Sequence, residues 1–523
     1  MASMSILNLS NEILWNIFGY FCLHCQHEYN QSWDDRPFRS QDSSRGKQQP
    51  DAKSWYSIDR HALFSLSLTS KRFCDLAQPI LYHEFVLGYG DSWLSESYTW
   101  EGRLVSFIRT LSRRSDLAHR VKVMYIHTSL FGRNTDESRT ANRLVILEAA
   151  HALGIDLPEA WRQRMSRVTD AESCDWPEVY QVFLGCYLDD KCELTERQRR
   201  HLHRAMTDGS FPGRRWMNAE LVAILIAQTP HLEYLSLQGD NRWPSCGLAK
   251  SSLSALGVSN LPLKTLDLGI GGYPIIELAP GLETLNLHQY TLHFGHSIPN
   301  MPSLRTLRVT DSLMLAVTLR KLLDACTGGL VAFEYEAAKD ETQGLRGGHF
   351  QASDAIEYLD KHKSTLQVLH LDLSKRDVQM RKIPPDSSLK EFSALKHVFI
   401  NSMPLFGFIQ KREQNVDSRV LIRLLPPSIA SLTIEKNHYR NFVKEALFDL
   451  ADWKIQNPGE FPNLTWVACR PKSKSSTLAS LFQAVGVNFN AQVRSLSNIK
   501  PYLNGPNASS ILVFPNWDSD DDL

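Results

Sequence analysis

The chain has 523 residues, of which 43 % are hydrophobic and 22 % charged, a composition typical of a globular protein with several cores or one extended array. Lys+Arg and Asp+Glu number 57 each, so the net charge indicates neither a nucleic-acid nor a membrane partner. Nine cysteines predict reduced thiols and no disulfide framework. The sequence lacks a secretory signal pattern and an apolar run of roughly 18 residues, so a cytoplasmic or nuclear location is predicted.

Residues 9–25 predict an amphipathic helix that continues through Cys25. Its apolar stripe, at helical spacing, consists of Leu14, Ile17, Phe18, Phe21, Cys22 and Cys25. Cys22, His24, Cys25 and His27 also have the close spacing of zinc ligands. Tetrahedral zinc usually takes a second ligand pair elsewhere in the chain, and the next cysteine, Cys74, stands alone. The helix is therefore the favoured interpretation, and neither a metal nor a cofactor is predicted.

Residues 26–57 are polar and aperiodic, which predicts a mobile insertion. The segments on either side resemble an F-box of the kind common in fungal proteins. Leu9, Glu12, Ile13 and Ile17 match the first part of the family pattern, and Ser70, Lys71, Arg72 and Phe73 match the second. Ser10 stands where the family usually has Pro, and the insertion separates halves that are normally adjacent.

The resemblance implies that residues 1–87 form a small helical domain that docks the Skp adaptor and, through it, a cullin. Six residues are its implied docking candidates: Leu9, Ser10, Ile13, Ile17, Leu66 and Leu68. Residues 88–228 predict a mostly helical connecting region with one degenerate repeat from Val121. The basic run at 197–204 is interpreted as a solvated helix face, so no nucleic-acid contact is predicted.

Residues 229–490 contain nine copies of a Leu-x-x-Leu-x-Leu pattern at irregular spacing. The copies begin at Leu232, Leu263, Leu282, Leu304, Leu330, Leu366, Leu395, Ile429 and Leu464. Each copy predicts a short strand, and the segments between copies supply return elements, several of them helical. The pattern resembles an irregular leucine-rich-repeat solenoid. That resemblance implies an α/β fold with parallel strands on a concave face and with helices and loops on the convex face. Residues 491–523 are predicted to be an extension with an acidic tail.

Between the inward leucines, alternate strand residues are predicted to face outward, on the concave surface. Ten of them are the candidates for target binding: Tyr234, Asp267, His288, Arg308, Glu334, Glu336, Asp372, Phe399, Glu435 and Trp466. Acidic residues outnumber basic ones there, and aromatic residues are enriched at binding hot spots. The sequence therefore predicts a mildly acidic groove that binds a Lys- or Arg-containing target segment in a salt-sensitive way.

No catalytic spacing is found, so the protein is not predicted to be an enzyme. The combined resemblance implies a substrate-recognition subunit of a Skp-cullin-F-box ubiquitin ligase. The alternative is a leucine-rich-repeat interaction scaffold without a ligase, in which the N-terminal helices only cap the repeats.

Overall fold

The computed structural model describes most of the chain between residues 6 and 490. The described ranges are 6–26, 55–86, 102–127, 136–157, 159–160, 212–238, 250–268, 273–288, 298–338, 349–376, 383, 388–406, 418–435, 440–469 and 476–490. Residues 27–54 of the insertion, the basic run 197–204 and the C-terminal region 491–523 lie outside them. The chain divides into two compact units, the first made of Met1–Lys264, Ile270–Ala279 and Lys500–Leu523, the second of Thr265–Gly269 and Pro280–Ile499.

The first unit begins with three packed helices, α1 (Asn11–Gly19), α2 (Trp55–Thr69) and α3 (Lys71–Leu81). Ser10 caps α1, with its side chain accepting a hydrogen bond from the Ile13 amide, and Ser70 caps α3 in the same way through the Phe73 amide. The shared core consists of Leu14, Phe18, Cys22, Leu63, Phe73, Ala77 and Ile80. Burial of this set holds α1 and α3 together across the insertion.

The prediction that the first helix reaches Cys25 is wrong. Helix α1 ends at Gly19. Hydrogen bonds between residues three apart, as in a 3-10 turn, follow it: the Phe21 amide donates to the Phe18 carbonyl, and the Cys22 amide donates to the Gly19 carbonyl. The chain then folds back onto α1, where a Cβ on Gly19 would lie 3.3 Å from the Cβ of Cys25. Cys22 and Cys25 fit the apolar stripe whether the chain continues as a helix or turns back, so their spacing did not reveal this turn.

The first unit also contains three parallel strands, β1 (Glu84–Val86), β2 (Val123–His127) and β3 (Tyr234–Gln238), paired in that order. The register places Glu84 opposite Val123, and Val123 opposite Tyr234. Its remaining helices are Arg103–Arg113, Ser115–Ala118, Asp136–Ala152, Pro212–Gln228, Lys250–Ala255 and Tyr273–Leu278.

The second unit contains nine strands, each parallel to its neighbours in chain order. They are β4 (Thr265–Leu268), β5 (Thr284–His288), β6 (Thr306–Ser312), β7 (Ala332–Ala337), β8 (Val368–Asp372), β9 (His397–Asn401), β10 (Ser431–Glu435), β11 (Trp466–Cys469) and β12 (Asn488–Asn490). Its helices are Ala316–Ala325, Ala352–Tyr358, Ser402–Phe406, Val420–Leu424, Arg440–Gln456 and Ser476–Ala484, with a 3-10 turn at Asp360–His362.

The predicted α/β class with parallel strands is confirmed. Every copy of the repeated pattern produces a strand that begins two residues after its first apolar residue, as Leu232 precedes Tyr234 and Leu464 precedes Trp466. Strands β1 and β12 match no copy and were not predicted. In the part of the chain that is described, no helix combines the length and apolar character needed to cross a membrane.

Candidate functional sites

Several large apolar side chains of the three N-terminal helices, and of the 3-10 turn Ile6–Asn8 before them, are exposed instead of joining the core. Tyr20 and Ile58 are exposed as well. We call the other five the exposed apolar set, and its members are Ile6, Leu7, Ile13, Phe64 and Leu68. Leu68 is 70 % exposed and Ile13 is 48 % exposed. Phe64 and Leu68 are one helical turn apart on α2 and so share a face of it.

Arg72 connects the segment before α1 to the start of α3. Its guanidinium donates to the carbonyl of Leu7 at 2.7 Å, to the carbonyl of Leu9 and to the Asn11 side chain at 2.9 Å. Arginine suits this task because its fork of donors can satisfy several acceptors at once. The segment that carries Ile6 and Leu7 is thereby held beside the junction of α2 and α3. Leu68 comes just before this junction in the sequence.

The six predicted docking residues divide into two groups. Ile13, Leu68 and the capping Ser10 are exposed, whereas Leu9, Ile17 and Leu66 are partly buried and pack against the helical core. Sequence reasoning missed Ile6, Leu7 and Phe64. Phe64 could have been found from its spacing of four residues to Leu68, while Ile6 and Leu7 precede the first matched position.

In the second unit, one row of side chains follows the register across consecutive strands. We call it the polar ladder: Asp267, Asn286, Arg308, Glu334, His370 and Phe399. Asn286 donates to Asp267, and Arg308 makes a two-pronged ion pair with Glu334 at 2.5 and 3.0 Å. The His370 ring stacks on Phe399 with ring centres 3.7 Å apart.

The carboxylates beside the polar ladder also have internal partners. Lys375 donates to Glu336 at 3.0 Å. Asp372 accepts from the Asn401 side chain at 3.0 Å and from the Ser374 amide at 2.9 Å. Burial works to raise the pKa of Asp372, but these hydrogen bonds and the nearby His370 hold it below its ordinary value.

The prediction that the target-binding candidates face solvent is wrong for seven of the ten. Tyr234, Asp267, Arg308, Glu334, Glu336, Asp372 and Phe399 are buried, and His288, Glu435 and Trp466 are half-buried. Adjacent parallel strands lie about 4.8 Å apart, so side chains in one row pack against each other. Glu334 and Glu336 are paired with cations, and Asp267 and Asp372 are buried and bonded to neutral groups. This burial removes the basis for an acidic, salt-sensitive groove; the target-binding role itself stays a prediction.

A cluster of cysteine and histidine side chains forms where α1 folds back. Cys22, His24, Cys25 and His83 each offer a ligand atom, and these atoms all lie within 4.8 Å of one another. The Cys25 sulfur is 3.3 Å from His83 Nδ1 and 4.0 Å from His24 Nδ1, and the Cys22 sulfur is 3.9 Å from His83 Nδ1. Among the described residues, no other group of metal-binding side chains converges in this way.

A buried carboxylate, Glu84, forms an ion pair next to this Cys/His cluster. Glu84, whose side chain is fully buried, pairs with Arg60 at 3.3 Å and accepts from the His24 amide at 3.3 Å. The Cys22 sulfur is 3.7 Å from the same carboxylate. Burial raises the pKa of the Cys22 thiol, whereas hydrogen bonding, first from Cys22 and then from His24 and His83, lowers the pKa of Cys25.

Sequence reasoning missed His83 because it searched for a second cysteine pair. His83 follows Cys25 by 58 positions and comes immediately before β1, and only the packing of α1 against α3 brings it to the turn. Its carbonyl accepts from the amides of Lys122 and Val123, which fixes its position at the start of β1. His27, the fourth residue of the original spacing, lies outside the described residues.

The chain matches no protein-family model and no curated protein.

Proposed function

We propose that this protein is a substrate-recognition subunit of a Skp-cullin-F-box ubiquitin ligase, in which the three N-terminal helices dock the adaptor. The observation that carries the proposal is the exposed apolar set, five large side chains that are exposed to solvent and stay outside the helical core. Exposed apolar side chains that gather on a small domain are typical of interaction surfaces. The F-box resemblance names the adaptor as the partner.

The repeats of the second unit are proposed to hold a target protein. The parallel strands that begin at each copy of the Leu-x-x-Leu-x-Leu pattern support a leucine-rich-repeat interpretation. Of the predicted target contacts, the half-buried His288, Glu435 and Trp466 retain surface for a partner. The protein would transfer no ubiquitin itself. It would act by raising the effective concentration of target lysines near the conjugating enzyme.

The double variant Ile13→Ala with Leu68→Ala is expected to lose co-purification with the Skp adaptor and the cullin. Truncating an apolar anchor at an interface costs about 2 kcal/mol or more, so two anchors together predict an affinity loss of roughly 1,000-fold. Both side chains are largely exposed, so the helical core should remain folded. The measurement is binding of the purified full chain to the purified adaptor, with thermal unfolding recorded in parallel.

Val317→Ala is the matched control. Val317 is 57 % exposed but lies on the helix Ala316–Ala325 of the second unit, so adaptor binding should be unchanged. Undiminished adaptor binding by the double variant would contradict docking through these residues. If the wild-type chain also fails to bind the adaptor, the scaffold without a ligase becomes the better explanation.

A further inference from the structure

We propose that Cys22, Cys25, His24 and His83 form a zinc site that fastens the turn after α1 to the start of β1. This inference does not depend on the proposed ligase function. It rests on the convergence of four side chains, two from a Cys-x-x-Cys turn, one from between the two cysteines and one from far along the chain.

The distances suit a single tetrahedral zinc ion. With Zn–S bonds of about 2.3 Å and Zn–N bonds of about 2.0 Å, ligand atoms on one zinc are about 3.3 to 3.8 Å apart. The sulfur-to-nitrogen separations of 3.3, 3.9 and 4.0 Å are close to these values. The rings of His24 and His83 lie 5.0 Å apart at 73°, and two imidazoles on one tetrahedral zinc place their ring centres about 5 Å apart.

The ligand types favour zinc over the other common divalent ions. Thiolate sulfur and imidazole nitrogen select zinc, whereas calcium and magnesium require oxygen ligands. Two thiolates and two neutral imidazoles around Zn²⁺ carry no net charge, which lowers the cost of placing the ion in this largely buried site. The remaining negative charge nearby, on Glu84, is already paired with Arg60.

Glu84 gives the cluster an outer support of the kind that zinc sites use. Its carboxylate accepts the His24 amide and so orients the turn that carries three of the four ligands. Arg60 also donates to the carbonyls of Leu81 and Glu84, which fixes the backbone on either side of His83. The fourth ligand is thereby held in place by groups that do not themselves contact the ion.

The site has a structural role in this arrangement. Four protein ligands close the coordination sphere, which leaves no position for a reacting water. The ion would connect the end of α1 to the residue whose carbonyl anchors β2 through the amides of Lys122 and Val123. The three N-terminal helices would then be held rigidly against the first strands of their own unit.

The first test is the metal content of the purified full chain, measured by inductively coupled plasma mass spectrometry. We expect about one zinc per wild-type chain, and less than about a tenth of that in Cys22→Ser with Cys25→Ser and in His83→Gln. Cys74→Ser is the matched control, because Cys74 lies on α3 but outside the cluster, and should retain the zinc. Zinc retained by the double cysteine variant would overturn the proposal.

The second test uses only the wild-type chain and so does not depend on the folding of a variant. After removal of zinc by a chelator, addition of Co²⁺ should give the intense visible bands of tetrahedral cobalt with thiolate ligands, and Zn²⁺ should abolish them. Amide hydrogen exchange in residues 20–26 should slow at least about 10-fold on zinc addition. A weak octahedral cobalt spectrum from the reduced chain would overturn the proposal. So would the finding that the purified chain contains a Cys22–Cys25 disulfide and still binds no metal once that disulfide has been reduced.

Discussion

Replacement of Glu334 by alanine is expected to lower the free energy of unfolding of the second unit by about 3 to 5 kcal/mol. Glu334 is 1 % exposed and holds Arg308 through two hydrogen bonds on adjacent strands. The variant would leave the guanidinium charge buried without its two-pronged partner, and that uncompensated desolvation is the source of the penalty. Urea unfolding of the full chain, followed by circular dichroism, measures the change.

Two companion variants separate the ion pair from the effect of losing any acidic residue. Glu445→Ala removes an exposed carboxylate from the helix Arg440–Gln456 and should change stability by less than about 1 kcal/mol. Arg308→Met with Glu334→Leu removes both charges and should recover most of the loss. A Glu334→Ala chain as stable as the wild type would contradict the buried pair.

This result also bears on how target binding is tested. An obvious test of an acidic target-binding groove would be to replace Glu334, Glu336 and Asp372 together by alanine. All three are buried and internally bonded, so the triple variant would lose target capture through unfolding. Trp466→Ala is a better probe, because Trp466 is half-buried and belongs to only a small apolar cluster with Phe399 and Ala468.

The second unit is expected to lose stability as the pH falls from about 6.5 to about 4. His362 and His370 are both buried, and burial, the largest cause, lowers the pKa of each to about 4. Below pH 6.5 the unfolded chain therefore binds protons that the folded chain does not, so the free energy of unfolding decreases as pH decreases through this window. A shift of this size corresponds to about 3 kcal/mol for each histidine.

The neutral form of each ring has a structural reason. His362 Nδ1 accepts the amide of Leu330 at 3.2 Å, which a protonated ring cannot do. His370 stacks on Phe399 between strands, and the carboxylates of Asp372 and Glu334 offset only part of the cost of charging it, while Arg308 adds to that cost. Both rings act in the same direction.

Urea unfolding at a series of pH values tests this expectation. His370→Phe preserves an aromatic stack on Phe399 and removes one titrating group, so the loss of stability between pH 6.5 and 4 should shrink by about 3 kcal/mol. His119→Asn is the control for the loss of a histidine ring, because His119 is exposed and lies in the first unit. An unchanged pH dependence in His370→Phe would exclude His370 as a cause of the loss.

Local patterns in the sequence were sufficient to predict most of the strands. The alternation of leucines defines a strand in each copy, because every second side chain enters the same apolar layer. Strand β1 escaped prediction because Glu84–Val86 is too short to show alternation, and β12 because Asn488 and Asn490 flank a single apolar residue. Helix α1 was extended too far because Cys22 and Cys25 fit its stripe.

The candidate sites were less predictable because they depend on contacts between distant segments. Asp267 and Glu334 are charged residues of the kind usually found on a solvated surface. Their partners are revealed only by the register between strands that are unequally spaced along the sequence. His83 is an isolated histidine in the sequence, and its meaning depends on the fold-back at Gly19. The exposure of Ile13 and Leu68, and the partial burial of Ile17 and Leu66, follow from how three helices share one small core.

The pairing of every strand in the second unit with its chain neighbours has a consequence for folding and for sequence change. Among the paired residues of neighbouring strands in this unit, the largest separation along the sequence is that between Ala332 and Val368. Loop-closure entropy is therefore small at each step, so structure can grow from any nucleus by adding adjacent repeats, with low contact order. Lengthening a connection, or duplicating one repeat, would leave every other pairing intact, which explains how copies of such unequal spacing coexist in one sheet.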